Sequence, residues 1–115
     1  MWICTRDGFA SVVNENREDK RLTVRTRRKR DLLALFPHAP VNVIKGRDYQ
    51  FRAYIEPLDV VIKIGNMIQE IDYPNFKDSI VNDKPLKAMY HEFWVIHSRF
   101  QTELSYSQYR EGVDE

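Results

Sequence analysis

The sequence predicts an α+β domain, an antiparallel sheet of four to five strands with two longer C-terminal helices packed on one face. Three observations predict it. Short stretches of two-residue alternation fill the first half of the chain, turn-forming residues separate them, and apolar spacing of three and four takes over after Glu56. Strands followed by helices point to α+β and away from a doubly wound parallel sheet.

Trp2 to Thr5 reads as the first strand, and Arg6-Asp7-Gly8 as the tight turn after it. Phe9 to Asn14 is the second strand, with Phe9, Ser11 and Val13 facing one way and Ala10 and Val12 the other. The polar stretch 14–20 reads as an exposed loop. Leu22 to Arg27 alternates, placing Leu22, Val24 and Thr26 inward and Thr23, Arg25 and Arg27 on a wet face. A short helix follows from about Lys29 to Phe36, ended by Pro37 and Pro40. Val41 to Ile44 and Tyr49 to Ile55 form a hairpin around Lys45-Gly46-Arg47-Asp48. In its second strand Tyr49, Phe51, Ala53 and Ile55 share one face, and Gln50, Arg52 and Tyr54 the other.

Glu56-Pro57 opens a helix that runs to about Ile71. Its predicted buried stripe is Leu58, Val61, Ile64, Gly65, Ile68 and Ile71. A glycine inside a helix costs about 1 kcal/mol against alanine, so Gly65 predicts close packing against a neighbour. After a break at 72–75, Phe76 to Val81 supplies a helical turn or two. From Pro85 to Leu104, the residues Leu86, Met89, Tyr90, Phe93, His97, Phe100 and Leu104 form one stripe, which Trp94 and Ile96 widen. With Asp83 or Lys84 as N-cap and Pro85 in the first turn, this segment reads as the central core helix. Residues 1–104 are expected to be a single domain, and the polar, acidic tail 105–115 to fray.

A chain of 115 residues makes one domain. Its 43% hydrophobic and 30% charged residues exclude a disordered chain. No apolar run approaches the roughly 18 residues that cross a bilayer. Met1-Trp2-Ile3-Cys4 meets Arg6 and Asp7 at once, unlike a secretory signal. The lone Cys4 forms no internal disulfide, so the expected location is the cytoplasm and no membrane partner is expected. Net charge is only +1, yet eight of the 18 Lys and Arg lie between Arg17 and Arg30. The chain is basic near its first third and acidic elsewhere.

The run Arg25-Thr26-Arg27-Arg28-Lys29-Arg30 is the sharpest local feature. Cations at a helix N-terminus oppose the macrodipole by about 0.3–1 kcal/mol each when unscreened, and Asp31 offsets only part of that. A tolerated cost of this kind points to a polyanionic partner, either a phosphate backbone or an acidic protein surface. If the strands holding Arg25 and Arg52 share a sheet, then Arg25, Arg27, Arg52 and Tyr54 share an uncovered face. That face suits single-stranded nucleic acid, by charge and stacking. The candidate partner-binding residues are therefore Arg25, Arg27, Arg28, Lys29, Arg30, Arg52 and Tyr54. The plainer reading is a salt-screened charge cluster, on a polar face covered by a dimer partner or by the tail. No ribonucleoprotein signature accompanies these residues.

Catalytic and metal-binding constellations find less support. His91 and His97 are six residues apart, about 120° from a shared helix face. His91-Glu92 begins the zinc-protease pattern, but Val95 stands where the second histidine belongs. His97, between Phe93 and Phe100, reads as a hydrogen-bonded core histidine, and His38 in its Pro-rich loop has no companion. Cys4 has only Arg6 nearby to lower its pKa. Gly8, Gly46, Gly65 and Gly112 are isolated, which excludes a Gly-rich phosphate loop, and no acid pair is placed for proton transfer. No cofactor and no metal is expected. The segment Ile71-Asp72-Tyr73-Pro74-Asn75-Phe76-Lys77 reads as a structural corner.

The chain resembles a family of short bacterial and mobile-element (phage or plasmid) proteins. The resemblance rests on Asp7-Gly8-Phe9, Val24-Arg25 with Asp31-Leu32, Asp48-Tyr49 with Arg52-Ala53, Ile71 to Lys77, and Tyr90-His91 with Trp94. It implies a prokaryotic or phage setting and carries over no catalytic or binding role. Together the residues favour a non-enzymatic binding module that docks a basic edge on nucleic acid or on a nucleic-acid-handling protein complex. In a mobile element, this would fit a modulator or inhibitor of a host system. Two other classes stay open. One is a small enzyme acting on a phosphate-containing substrate through Arg25, Arg52, Tyr54 or His91. The other is an assembly subunit whose acidic helices bind a basic partner; a homodimer is compatible with either.

Overall fold

A computed structural model of the chain describes residues 1–16 and 18–110, with side chains described through Leu104. Strands β1 (Trp2–Thr5) and β2 (Gly8–Val13) form the expected hairpin. Its turn is held by Thr5, whose Oγ1 accepts the N–H groups of Asp7 at 3.2 Å and Gly8 at 3.1 Å. Then come β3 (Leu22–Thr26), α1 (Lys29–Leu35), β4 (Asn42–Val43) and β5 (Phe51–Ile55). The five strands make one antiparallel sheet in the order β1-β2-β3-β5-β4.

Register decides which side chains meet. Val12 lies opposite Val24, and Val24 opposite Ala53, so these three form one row across the sheet. They join Ala10, Leu32 and Leu35 of α1, and Val60 of α2 (Pro57–Gln69), in the hydrophobic core. Burying an aliphatic side chain of this size contributes about 1.5–3 kcal/mol. The α+β architecture is therefore the one the alternation predicts, with α1 and α2 supplying the cover on one face.

The second helix is turned from the expected orientation. Val60 is buried and Ile64 and Met67 half-buried, whereas Leu58, Val61 and Ile68 are 66%, 63% and 62% exposed. The physical reason is that α2 is apolar around most of its circumference. It carries two stripes at helical spacing, and periodicity does not say which one the sheet takes. Gly65 lies on the exposed stripe, where no heavy atom comes within 4 Å of a Cβ built on it. The close packing predicted for it is absent.

The chain divides into two compact units, Met1–Phe76 and the part beginning at Lys77. The second contains a 3-10 turn (Lys77–Ser79) and α3 (Lys84–Arg110). Asp83 caps α3, its Oδ1 accepting the Leu86 N–H at 3.2 Å, as the Asp83/Pro85 pattern predicts. Leu86 and Tyr90 are buried, and Met89 and Phe93 half-buried. His97, Phe100 and Leu104 are exposed. The apolar stripe is thus buried over its first turns only, and α3 is not a core helix along its length. A stripe records which face a helix can bury, not how far the cover extends. The helix also continues past Leu104 to Arg110; of the predicted tail, 111–115 lie outside the described residues.

Candidate polyanion interface

The pairing of β3 with β5 sets Arg25 directly opposite Arg52, and Thr23 opposite Tyr54. Arg25, Arg52 and Tyr54 therefore share one face of the sheet, as the alternation implies. That face is wet only in part: Tyr54 on it is exposed and Arg25 half-buried, but its centre is closed, which corrects the expectation of a wholly uncovered surface. Ser11, Thr23 and Arg52 on it are at most 2% exposed. Two like charges facing each other across a sheet repel, and each is given its own partners. Arg25 donates from Nε to the Ser11 hydroxyl at 3.1 Å. Arg52 pairs with the Glu15 carboxylate and donates to the carbonyls of Tyr49 at 3.2 Å and Asp48 at 2.9 Å. A buried guanidinium is stable only when paired and hydrogen-bonded in this way.

Those two carbonyls belong to the turn between β4 and β5, and Arg52 fixes its shape. Tyr49 leaves the strand there, with φ of 58°, a left-handed conformation uncommon outside glycine. Its ring consequently faces the arginines instead of joining Phe51 and Ala53, which corrects its expected facing. The Arg25 and Arg27 guanidinium carbons lie over the ring, 4.7 and 4.2 Å from its centroid. Arg27 also pairs with Asp48 at 2.7 Å, and Arg47 approaches Glu15 at 4.0 Å. The segments 25–30 and 45–52 are thereby drawn together. They hold eight cations, and Glu15, Asp31 and Asp48 are among the carboxylates that lie with them or pair with them.

Of these cations, Arg27, Lys29, Arg30, Lys45 and Arg47 are exposed. Lys45 and Arg47 are absent from the candidates the sequence suggests. Their signal becomes legible only once β3 is paired with β5, because Thr26 then faces Phe51 and the turn ahead of β5 comes beside Arg27.

Arg28 is engaged differently. It stands at the N-cap of α1 and turns to the buried Asp31, donating from Nε at 3.0 Å and approaching with its Nη2 at 2.7 Å. The other Asp31 oxygen accepts the Phe9 N–H at 3.5 Å. The carboxylate lies so close to Gly8 that a Cβ there would sit 2.5 Å from Asp31 Cγ. Only glycine fits. The conflict between the basic run and the helix dipole is thus relieved at Arg28, the residue nearest the helix start.

Tyr54 lies one row farther along the face and is 41% exposed. The Arg21 guanidinium covers its ring at 5.4 Å from the centroid. Arg21 is itself paired with Asp19 at 2.9 Å, which holds the Asp19 carboxyl below its ordinary pKa and raises that of Arg21.

The other candidate chemistries gain little. His91 is exposed and stacks on Trp94, with centroids 6.0 Å apart and planes at 25°. His97 is exposed, not a core histidine. No group of His, Cys, Asp and Glu among the described residues is arranged to hold a metal ion. Cys4 lines a groove of about 210 Å³ with Ile64, Met67 and Ile68, and desolvation pushes its thiol pKa up, away from a reactive thiolate. No helix among the described residues is long and apolar enough to cross a membrane.

Comparison of the chain with protein-family models, curated proteins and solved structures gives no match.

Proposed function

We propose that the protein is a small non-enzymatic binding module that docks a basic edge on nucleic acid. The observation that carries this reading is the convergence of 25–30 and 45–52, which brings two cation-bearing segments together at the end of the sheet where β3 finishes and β5 begins. Arg25 and Arg52 serve it from beneath by fixing the turn, and Arg27, Lys29, Arg30, Lys45 and Arg47 meet phosphate. The phage or mobile-element setting implied by the resemblance would make the module a modulator of a host nucleic-acid-handling system.

The test is fluorescence anisotropy with purified protein and short DNA and RNA, titrated from about 50 to 200 mM salt. Each neutralised duplex phosphate contributes about −0.9 to the slope of log affinity against log salt. The Lys45→Ala/Arg47→Ala double variant should weaken binding on every sequence and flatten the duplex slope by about two contacts. No binding at 50 mM salt would remove the reading.

A second reading has its own observation. Leu58, Val61, Ile62 and Ile68 leave a mostly aliphatic face of α2 in water, where exposed apolar patches mark partner sites. Glu56, Asp59 and Glu70 outnumber Lys63 in and beside this helix. That charge fits an amphipathic segment with basic flanks, in keeping with an assembly subunit that binds a basic partner.

A further inference from the structure

We infer that the exposed face of α2 pairs antiparallel with the same face of a second copy, making the protein a two-fold dimer. The inference goes beyond the nucleic-acid reading and does not depend on it. Leu58, Val61, Gly65 and Gln69 follow one another at helical spacing along an exposed crest that carries no charge. Leu58 and Val61 are more than half exposed there, as are Ile62 and Ile68 beside them. On one side of the crest, Ile64, Met67 and Ile68 border the groove of about 210 Å³ that reaches Cys4. On the other, Ile62 and Asn66 border a second groove, of about 340 Å³, against Phe36 and Pro37. A ridge between two grooves is the shape that helix packing uses, because each partner's ridge enters the other's groove.

The occupant that answers this shape is the same shape. Gly65 stands in the middle of the crest, although glycine is unfavourable inside a helix. No heavy atom of the described residues beyond its own helix turn comes within 4 Å of a Cβ built on it, so no contact inside the chain requires glycine. A facing helix does, because a missing side chain at the crossing lets the two axes approach closely. A two-fold axis also sets crest against crest, where any charge would meet its like. The crest has none; Asp59, Lys63 and Glu70 lie in the groove walls. A basic-flanked segment would draw on those wall charges, which are of both signs. The size fits as well. Eleven residues line the first groove and ten the second, and with the crest they match the roughly 20–30 residues on each side of a stable interface. Antiparallel pairing further sets the positive end of each helix dipole beside the negative end of the other.

The experiment is sedimentation equilibrium on the purified full chain, from about 1 to 500 μM, since dimer population follows protomer concentration. Twice the chain mass at the upper end is the expected result. With the axis at Gly65, position 61 of one copy faces position 68 of the other. Val61→Glu and Ile68→Lys change exposed residues, so each should keep the circular dichroism of the fold. Each should also raise the dimer dissociation constant at least about tenfold, by placing an unpaired charge in an apolar contact. Mixing the two variants should recover a dimer, because the introduced charges then face each other. A chain that stays monomeric throughout overturns the inference, as does a dimer that neither substitution weakens. A mixture that stays monomeric overturns the antiparallel pairing.

Discussion

Asp31 shows how one carboxylate joins two parts of the chain. It neutralises Arg28, accepts the Phe9 N–H and packs on Gly8, so the first hairpin and the start of α1 share a polar anchor. From sequence alone, removing Arg28 eases a clash with the helix dipole. In the structure it strips a buried carboxylate of its cation. Arg28→Ala is therefore expected to destabilise the protein by about 1–3 kcal/mol in urea denaturation, and a loss below about 0.5 kcal/mol would contradict this account. Two pairs of sequence segments meet in this manner. Asp31 reaches Gly8 and Phe9, and Arg52 reaches Asp48 and Tyr49. In sequence these polar residues resemble surface; their partners, 22 and 37 positions away in the longest cases, show why they are not.

Among the elements, strands were legible and helix orientation was not. Alternation in β2 and β3 has one solution, since a one-residue slip would expose Val12 and Val24. The helix α2 has two apolar stripes, and the choice depends on tertiary contacts that spacing does not encode. In α3 the same limit appears along the axis, because Phe100 belongs to a stripe yet is 60% exposed. Truncation separates the cases. Val60→Ala should cost about 1–3 kcal/mol through loss of buried methyl groups. Phe100→Ala should cost less than about 0.5 kcal/mol, as exposed positions do. Chemical denaturation giving the reverse order would show that the burial assigned to α2 and α3 is wrong.

At the scale of the whole molecule, a net charge of +1 conceals a strong asymmetry, basic over 25–30 and 45–52 and acidic in and around α2. The basic run was legible as a cluster. That Lys45 and Arg47 complete it was not, because the join runs through Tyr49, whose left-handed backbone no alternation pattern announces. Nor was the inward commitment of Arg25, Arg28 and Arg52, which divides the candidates into those that build the edge and those that can meet a partner. The measurement that tests this division most directly is a ¹⁵N chemical-shift map, recorded while a short duplex is added at low salt. Perturbations concentrated in 27–30 and 44–48 are expected, with α2 from Leu58 to Ile68 unchanged. Perturbations centred on α2, or none at saturating duplex, would contradict it.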